Sequence, residues 1–409
     1  MANGFSGSDN GFSGSDIAAV LPAVTPHIRD RVAGSSAAVG EGACASAVEA
    51  AIATLGHEPG LVLVFPAGEP DPAAAAREAQ TAAGGARVAG MTGTGAIGAE
   101  GPIGTGCSAI AFSSALLAGI GVAEASDPRA AGSDAASQAL ASLEGAPHAI
   151  LLLFVDSEAG DQAEVVAGAY SVAGGTIPLA GGAAGGPRRA RFADGRALTD
   201  GVVAVALGST TPIGVGISHG CIPRGAPSIV TRSDGRTVLQ LDGRPAQDVY
   251  FEKLGVEGVD IDDEEFEVLA MVHPLAEPEL SGLLRPRYLR ARAPDGGLVC
   301  ATSIEQNAAV EICDQSSGSI VESARAAAED AVAHLQGPAA AALIFDCAGR
   351  SAWLDGALAA HELEALRTGL GETMPCVTGV YTRGEIGRTR GAKGDRNHSV
   401  VVAAFSAPS

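Results

Sequence analysis

Charged side chains surround a glycine-rich turn near the end of the chain. Arg383 and Glu385 lie in the segment from Gly379 to Gly387, which reads GVYTRGEIG. A guanidinium fork can hold a carboxylate bidentately, and a carboxylate can accept hydrogen bonds from an ammonium group. This pair therefore has the chemistry needed to bind an amino-acid-like or anionic ligand.

The same turn occurs earlier in the chain without these charges. The segment 90–98 reads GMTGTGAIG and aligns with the later turn without gaps, sharing glycines at the first, sixth and ninth places. Such glycines suit positive φ angles or close backbone approach. Thr94 and Ala96 stand where the later turn has Arg and Glu, and the intermediate copy at 180–186 is also uncharged. On this comparison only the last copy carries charged groups at the turn.

Further polar residues of the last copy lie at the ends of predicted strands, which is where α/β sheets usually contact their ligands. The predicted ligand-binding residues are Cys347, Gly349, Arg350, Tyr381, Arg383, Glu385 and His398. An alternative stays open, in which Arg350 and Glu385 form a structural ion pair that braces two loops.

Motifs for catalysis and metal binding are weak. The segment 216–220 fits G-x-S-x-G, but Pro223 and Gly225 follow and block the helix that a nucleophile elbow needs. The segment 93–98 fits G-x-G-x-x-G, but no acidic residue lies about 20 positions further on. Neither C-x-x-C nor H-x-x-x-H occurs. No catalytic residue and no metal ligand are therefore predicted.

Two other chemistries stay open. A haem needs only one axial histidine, and His219 and His273, beside predicted strands, are the candidates. An enzyme could use Cys347 or His398 with Glu385, because a thiol beside a guanidinium could have a lowered pKa. Hydrogen-bonded structural histidines and a buried, unreactive cysteine are the alternatives.

Three copies of one unit position these residues. The unit is a helix, a strand, a second helix, a glycine-rich strand end and a final strand. Its strands are nearly continuous apolar runs, which are typical of sheets covered by helices on both faces. The pattern predicts an α/β fold of two related, pseudo-symmetric domains with helix-flanked sheets. Predicted helices lie around 48–55, 73–83, 134–143, 162–172, 319–335 and 357–367, and predicted strands at 61–65, 87–91, 108–112, 149–155, 176–180, 202–207, 341–345, 376–381 and 399–405.

A different block separates the second copy from the third. One helix is predicted at 245–254, where Pro245 suits a first turn. The acidic stretch 260–267 is predicted to be a solvated loop. The predicted strands of this block lie at 213–218, 228–232, 237–241, 266–272, 297–304 and 309–313.

Composition limits the possible partners and compartment. The 409 residues carry a formal charge of −21, which disfavours binding to nucleic acid and to anionic membranes. The longest strongly apolar run, 149–155, is far shorter than the roughly 20 residues of a membrane helix. Seven widely spaced cysteines suggest free thiols in a reducing compartment. We expect a cytoplasmic protein, although an organellar stroma would give the same composition.

Three groups of motifs resemble the FIST family. The first is GCSAIAFS at 106–113 with GGTIPLAGG at 174–182, and the second is DGRPAQDVY at 242–250. The third is FDCAGR at 345–350 with VYTRGEIG at 380–387, Asn397 and His398. The resemblance implies a FIST N-terminal domain at 31–220 and a FIST C-terminal domain at 221–409, after a disordered tail at 1–30 that contains a duplicated NGFSGSD.

The family resemblance also implies a function. FIST proteins are regarded as sensory proteins that bind small ligands, so we expect a signal-transduction role in which a separate signalling protein receives the output. Some members bind haem and sense nitric oxide, which is one alternative, although no cofactor is predicted from the residues themselves. A non-catalytic scaffold or subunit of a larger assembly is another alternative.

Overall fold

The computed structural model describes residues 31–124, 126–158, 161–279, 282–354, 356–371 and 376–407. The predicted disordered tail at 1–30 lies outside these ranges. Three structural repeats with the order β-α-β-α-β-β-β-β account for most of the described chain. The third has two consecutive helices in the place of the second helix, and an inserted region interrupts it after its first strand.

The first and second repeats are contiguous. In the first repeat the elements are β1 (Ala33–Ala38), α1 (Ala43–Leu55), β2 (Pro59–Ala67), α2 (Pro72–Ala83), β3 (Arg87–Met91), β4 (Gly95–Gly98), β5 (Gly101–Ile103) and β6 (Gly106–Ser113). In the second they are β7 (Leu117–Ala123), α3 (Pro128–Leu140), β8 (His148–Asp156), α4 (Gln162–Ala173), β9 (Leu179–Ala184), β10 (Arg191–Ala193), β11 (Arg196–Leu198) and β12 (Val202–Ser209).

The third repeat begins with β13 (Ile213–Ser218) and resumes after the inserted region. The inserted elements are β14 (Ile222–Pro223), β15 (Ser228–Asp234), β16 (Thr237–Leu241), β17 (Arg244–Pro245), α5 (Ala246–Leu254), α6 (Asp263–Val272), β18 (Leu275–Pro278), β19 (Leu284–Arg287), β20 (Leu289–Arg292), β21 (Leu298–Cys300) and β22 (Ala309–Asp314). The resumed repeat contains α7 (Ser317–Ala333), β23 (Ala339–Cys347), α8 (Ala348–Trp353), α9 (Gly356–Leu370), β24 (Cys376–Thr382), β25 (Glu385–Arg388), β26 (Asp395–Arg396) and β27 (Val400–Ser406).

Helix starts follow local chemistry. Asp71 caps α2, its side chain accepting from the backbone N–H of Ala73 and Ala74, and Pro72 occupies the first turn. In α6, Asp262 and Glu265 form a reciprocal capping box. This box explains two wrong predictions, because the acidic stretch 260–267 opens a helix instead of forming a loop, and 266–272 is helical instead of a strand.

The three repeats exchange their small hairpins in a cycle. The three six-stranded sheets have the orders β1-β6-β2-β3-β10-β11, β7-β12-β8-β9-β25-β26 and β13-β27-β23-β24-β4-β5. The hairpin of the first repeat therefore joins the sheet of the third, that of the third joins the second, and that of the second joins the first. The prediction of an internal repeat is confirmed, but the sequence did not indicate the exchange.

The core lies where the three sheets meet. Phe65, Phe154 and Phe345, one from the central strand of each repeat, pack with ring centroids 6.0–6.2 Å apart. Their edge-to-face and tilted contacts are favourable aromatic geometries. The predicted class is confirmed: the chain is an α/β protein of two domains, with sheets flanked by helices. Among the helices of the described ranges, none has the length and apolarity to cross a membrane.

Candidate functional site

The Arg350 side chain is buried and is fully engaged by the protein. Its Nε lies 3.0 Å from Asp346 Oδ1, and its Nη2 lies 2.6 Å from Glu362 Oε1. Its Nη1 donates to Ser323 Oγ at 2.9 Å, and Nη2 also donates to the Ile320 carbonyl at 3.1 Å. The predicted fork for a ligand carboxylate is therefore filled from inside, and the ion pairs that Arg350 makes are with Asp346 and Glu362.

The carboxyl groups of Asp346 and Glu362 both contact this guanidinium. Burial, followed by the negative charge of Glu362, raises the pKa of Asp346 well above its usual range, and the two side chains hydrogen-bond to each other. Three charges of alternating sign in one buried cluster are a structural arrangement in the first instance, because a lone buried charge would be very costly.

Glu385, the second predicted ligand residue, is also buried. Thr382 Oγ1 donates to its Oε1 at 2.9 Å and the Ser399 backbone N–H donates to its Oε2 at 3.1 Å. Burial raises the pKa of Glu385 to about 7 despite these bonds and a bond from the Cys347 thiol. The side chain therefore titrates near neutral pH.

The Cys347 thiol differs from its expected behaviour. Burial, and then the negative charge of Glu385, raise the pKa of the thiol well above its usual value. The hypothesis that Arg350 lowers this pKa was wrong, because the neighbouring carboxyl groups and the loss of water outweigh the guanidinium. The structure therefore favours a protonated thiol.

His398 combines backbone strain with an unpaired ring nitrogen. Its φ is +51°, a region uncommon for any residue other than glycine. The side chain is buried and its Nε2 has no partner among the described residues. Burial, and then the charge of Arg350, lower the pKa of His398 to about 3, so the ring is neutral. The ring of Tyr288, in the inserted region, lies 5.6 Å away.

The remaining predicted residues separate into interior and surface positions. Tyr381 is buried, and its carbonyl accepts from the Thr94 backbone N–H at 3.0 Å. Arg383 is exposed on the turn. Gly349 is half-buried, and a Cβ there would lie 3.1 Å from Met271 Sδ, so the inserted region packs closely against this point.

Strand register corrects the comparison of the three turns. Glu385 pairs with Gly182 on β9, and Arg191 pairs at the equivalent place with Met91 on β3. Ala96 pairs likewise with Val380 on β24. The intermediate copy therefore also carries a charge at this position, but the segment 180–186 does not show it, because six residues separate the end of β9 from Arg191 in the sequence.

A buried ionic cluster that the sequence reasoning missed joins the inserted region to the third repeat. Arg285 Nη1 and Arg287 Nη2 lie 2.8 and 2.9 Å from the two oxygens of Asp395. Both guanidinium groups also contact Glu277 Oε2, at 2.6 and 2.9 Å. The sequence did contain a signal of this cluster, since two arginines lie at alternate positions of a short strand, on either side of a proline. In a single sequence, however, charged residues that face inward cannot be distinguished from surface residues.

The haem candidates are placed at loop positions. The His219 Nδ1 accepts from the Cys221 backbone N–H at 2.9 Å, and burial lowers the pKa of His219 to about 4. The His273 Nδ1 lies 2.9 Å from Asp314 Oδ1. Neither ring lines any of the four cavities described. No cluster of three or more metal-ligating side chains occurs in the described ranges.

Two of the cavities lie at the carboxyl ends of central strands. The first repeat has one of about 350 Å³ beside Ala67, and the second has one of about 510 Å³ beside Asp156. At the equivalent place of the third repeat, Arg350 of α8 bonds to Ile320 and Ser323 in the first turns of α7. The third repeat thus fills with its own side chain a position that the other two leave open.

Family models match nearly the whole of this architecture. The FIST N domain matches residues 60–244, and the FIST C domain matches residues 246–388. The chain belongs to the FIST family. FIST domains are associated with the sensing of small ligands in signal transduction.

Relatives and solved structures add context to the FIST assignment. "Uncharacterized protein MT0656" of Mycobacterium tuberculosis is 30% identical over 240 residues, 56% of this chain and 61% of the relative. "Uncharacterized protein Mb0898c" of Mycobacterium bovis is 30% identical over 241 residues, with the same coverage. The match therefore spans about three fifths of the relatives' length. A cyanuric acid hydrolase from A. caulinodans aligns over 92% of this FIST chain and 99% of its own, at 13% identity and a TM-score of 0.34.

Proposed function

We propose that this FIST protein is a sensor that binds a small amino-acid-like or anionic ligand where the inserted region meets the third repeat. The observation that carries the proposal is His398, whose neutral ring is buried with Nε2 unpartnered on a backbone held at φ +51°. Strained residues and unpaired buried polar atoms gather at binding sites, because surroundings must be tightly packed to hold them.

The neighbours of His398 supply the rest of the recognition. Tyr288 contacts its ring and interacts electrostatically with Arg383 and Cys347, which supports a shared site at this junction. Because Arg350 is occupied by the protein, Arg383 is the guanidinium that supports capture of a ligand carboxylate. Ligand sites commonly occur at such junctions between structural units.

The protonation of Glu385 supports an anionic ligand. Near neutral pH this carboxyl group is partly protonated, because burial raises its pKa to about 7. A ligand carboxylate nearby would raise that pKa further, so binding takes up a proton. Affinity should therefore increase as the pH falls from 8 to 6, and this dependence should disappear in Glu385→Gln.

The test is calorimetry and thermal shift with the twenty amino acids and their carboxylic-acid analogues. We expect Arg383→Ala to weaken binding at least tenfold, a loss of about 1.4 kcal/mol. His398→Asn should also weaken binding, while asparagine still tolerates the positive φ. Arg232→Ala, which removes an exposed arginine from β15 of the inserted region, is the matched control.

Two results would contradict the proposal. In one, no member of the panel binds, which favours the alternative of a scaffold or assembly subunit. In the other, a ligand binds with equal affinity to the wild type, Arg383→Ala and His398→Asn, which places the ligand elsewhere.

A further inference from the structure

The cavity of the first repeat has a cysteine in its wall. Its volume of about 350 Å³ is in the range of small-molecule sites, and it lies where α1 and α2 begin. Cys44, the second residue of α1, lines this cavity, whereas the other six cysteines line none of the four cavities described. Cys44 is therefore the thiol that a small molecule in one of these cavities would contact.

A second thiol contacts Cys44 from the interior. Cys107, on β6, is fully buried and belongs with Cys44 to the apolar cluster between α1, α2 and their sheet. Burial, and then a hydrogen bond to Cys44, raise the pKa of Cys107 well above its usual value. Because a protonated thiol is a poor nucleophile, Cys107 does not react first, but it lies within reach of a disulfide formed on Cys44.

Comparison among the repeats shows that this pair of thiols belongs to the first repeat. Strand register puts Val202 and Val400 at the positions that correspond to Cys107. The second residues of α3 and α7 are Arg129 and Gly318. The shared fold therefore does not require a thiol at either position.

The charged residues that line the first-repeat cavity are all acidic. They are Glu41, Glu69, Asp71 and Glu78, of which the first three are exposed. A cleft lined by one sign of charge concentrates ions of the opposite sign and repels those of the same sign. A cation beside a thiol also favours the reactive thiolate. The cavity is therefore suited to a cationic reagent and unsuited to an anionic one.

We propose that Cys44 and Cys107 form a thiol–disulfide exchange site that takes a small cationic disulfide of the aminothiol class, such as cystamine. The inference does not depend on the ligand proposed near His398, because none of the residues used here belongs to that site.

The exchange has two steps. The Cys44 thiolate attacks one sulfur of the small disulfide, an S–S bond forms between them, and the other sulfur leaves as a thiolate that takes up a proton. The Cys107 thiolate then attacks the Cys44 sulfur and releases the second aminothiol, which also takes up a proton. Two cysteines are oxidised to one disulfide, one small disulfide is reduced to two thiols, and the two protons lost by the cysteines balance those taken up.

The test uses the full chain, reduced beforehand, with cystamine and the anionic dithiodiglycolate as probes. Each rate is divided by that of the same probe with N-acetylcysteinamide, a neutral thiol, which removes differences in intrinsic reactivity. We expect cystamine to react about tenfold faster than the anionic probe on this scale, and the difference should shrink as salt is added. Peptide mapping by mass spectrometry should find a Cys44–Cys107 disulfide, whereas Cys107→Ser should retain one aminothiol on Cys44.

Matched variants test the charge and the shape of the cavity. Removing two exposed carboxylates together, in Glu41→Gln with Glu69→Gln, should reduce the preference for cystamine severalfold. Glu264→Gln, exposed on α6, is the control and should leave it unchanged. Ala74→Leu narrows the cavity and should slow the reaction, whereas Ala82→Leu, on the same helix but outside this cavity, should not.

The wild type contains an internal control. Cys221 and Cys313 are a second pair of buried thiols in contact, and neither lines any of the four cavities described. This pair should stay reduced while Cys44 reacts.

Two results would overturn the proposal. Equal normalised rates with the two probes would overturn the cationic substrate class, and the absence of a Cys44–Cys107 disulfide after treatment with cystamine would overturn the site itself. Both measurements use the wild type, so neither depends on a variant that folds. Both are also independent of Arg383→Ala and His398→Asn, so failure of the proposed ligand site would leave them unchanged.

Discussion

Replacement of Arg350 by methionine tests whether this residue belongs to the core or to a ligand site. Methionine keeps much of the apolar stem but removes the charge between Asp346 and Glu362, which lie 3.0 and 2.6 Å from the guanidinium. Removing one partner of a buried ion pair typically costs about 3–5 kcal/mol, because the other charge is left uncompensated. We therefore expect a loss of that size at pH 8.

The penalty should depend on pH in a defined direction. Without Arg350 the pKa of Asp346, which burial already raises, should rise further, so the folded variant binds a proton that the unfolded chain releases. The loss in unfolding free energy should consequently be smaller at pH 5 than at pH 8. A double variant with Glu362→Gln should recover part of the loss, because one of the two uncompensated charges is gone.

The assay can be local, because the single tryptophan of the chain lies in the same short helix. Trp353 ends α8, three residues after Arg350, and is about 39% exposed. Its fluorescence during urea unfolding reports this segment, which matters because a chain of this size need not unfold in a single step. Arg383→Met is the control, since an exposed substitution usually changes stability by no more than about 0.5 kcal/mol. Equal midpoints for the two variants, with ligand binding lost in Arg350→Met alone, would refute the structural role.

Three other residues give separate tests. Glu385, with its pKa raised to about 7 from 4.5, should destabilise the folded protein increasingly from pH 5 to pH 8, by up to about 3 kcal/mol. In urea unfolding, Glu385→Gln should therefore be more stable than the wild type at pH 8, and its stability should depend less on pH. Gly168→Ala should lower the free energy of unfolding by about 1–3 kcal/mol, because the new Cβ would lie 1.9 Å from the Arg129 carbonyl oxygen. Gly318→Ala, in an open helical position, is the control and should leave the stability unchanged or raise it, as measured by thermal unfolding of both variants. Cys347 should react with a disulfide reagent more slowly than free cysteine at pH 8, and rapid labelling that disappears in Cys347→Ser would contradict its raised pKa.

The long elements could be predicted because each buries a continuous apolar surface within its own repeat. Strand β3 has the predicted bounds, and β8 extends the predicted run by one residue at each end. The exchanged hairpins could not be predicted in the same way. A strand such as β4 is four residues long and pairs with β24, nearly three hundred residues later, so no local pattern marks it.

The candidate site likewise has features that the sequence could predict and features that it could not. The strand-end residues could be grouped without the structure, because polar side chains after apolar runs are visible in the sequence. Their individual roles depend on contacts that spacing does not reveal. Arg350 and Glu362 are twelve residues apart, on α8 and α9, and their contact decides that the guanidinium faces the interior. The exposure of Arg383 depends in turn on β25 joining the sheet of the second repeat.

The cyclic exchange gives a physical route from the second repeat to the proposed site. The turn before β25 lies on β9, since the Arg383 backbone N–H donates to Ala183 and the Ala183 N–H donates to Gly384. Gln162 lines the second-repeat cavity and also bonds to the Glu385 carbonyl. A movement of Gln162 therefore changes the support of Glu385, whose carboxyl group contacts Cys347 and the backbone beside His398. Coupling in a sensor requires an element that contacts both of the regions it connects, and here that element is the turn from Thr382 to Glu385.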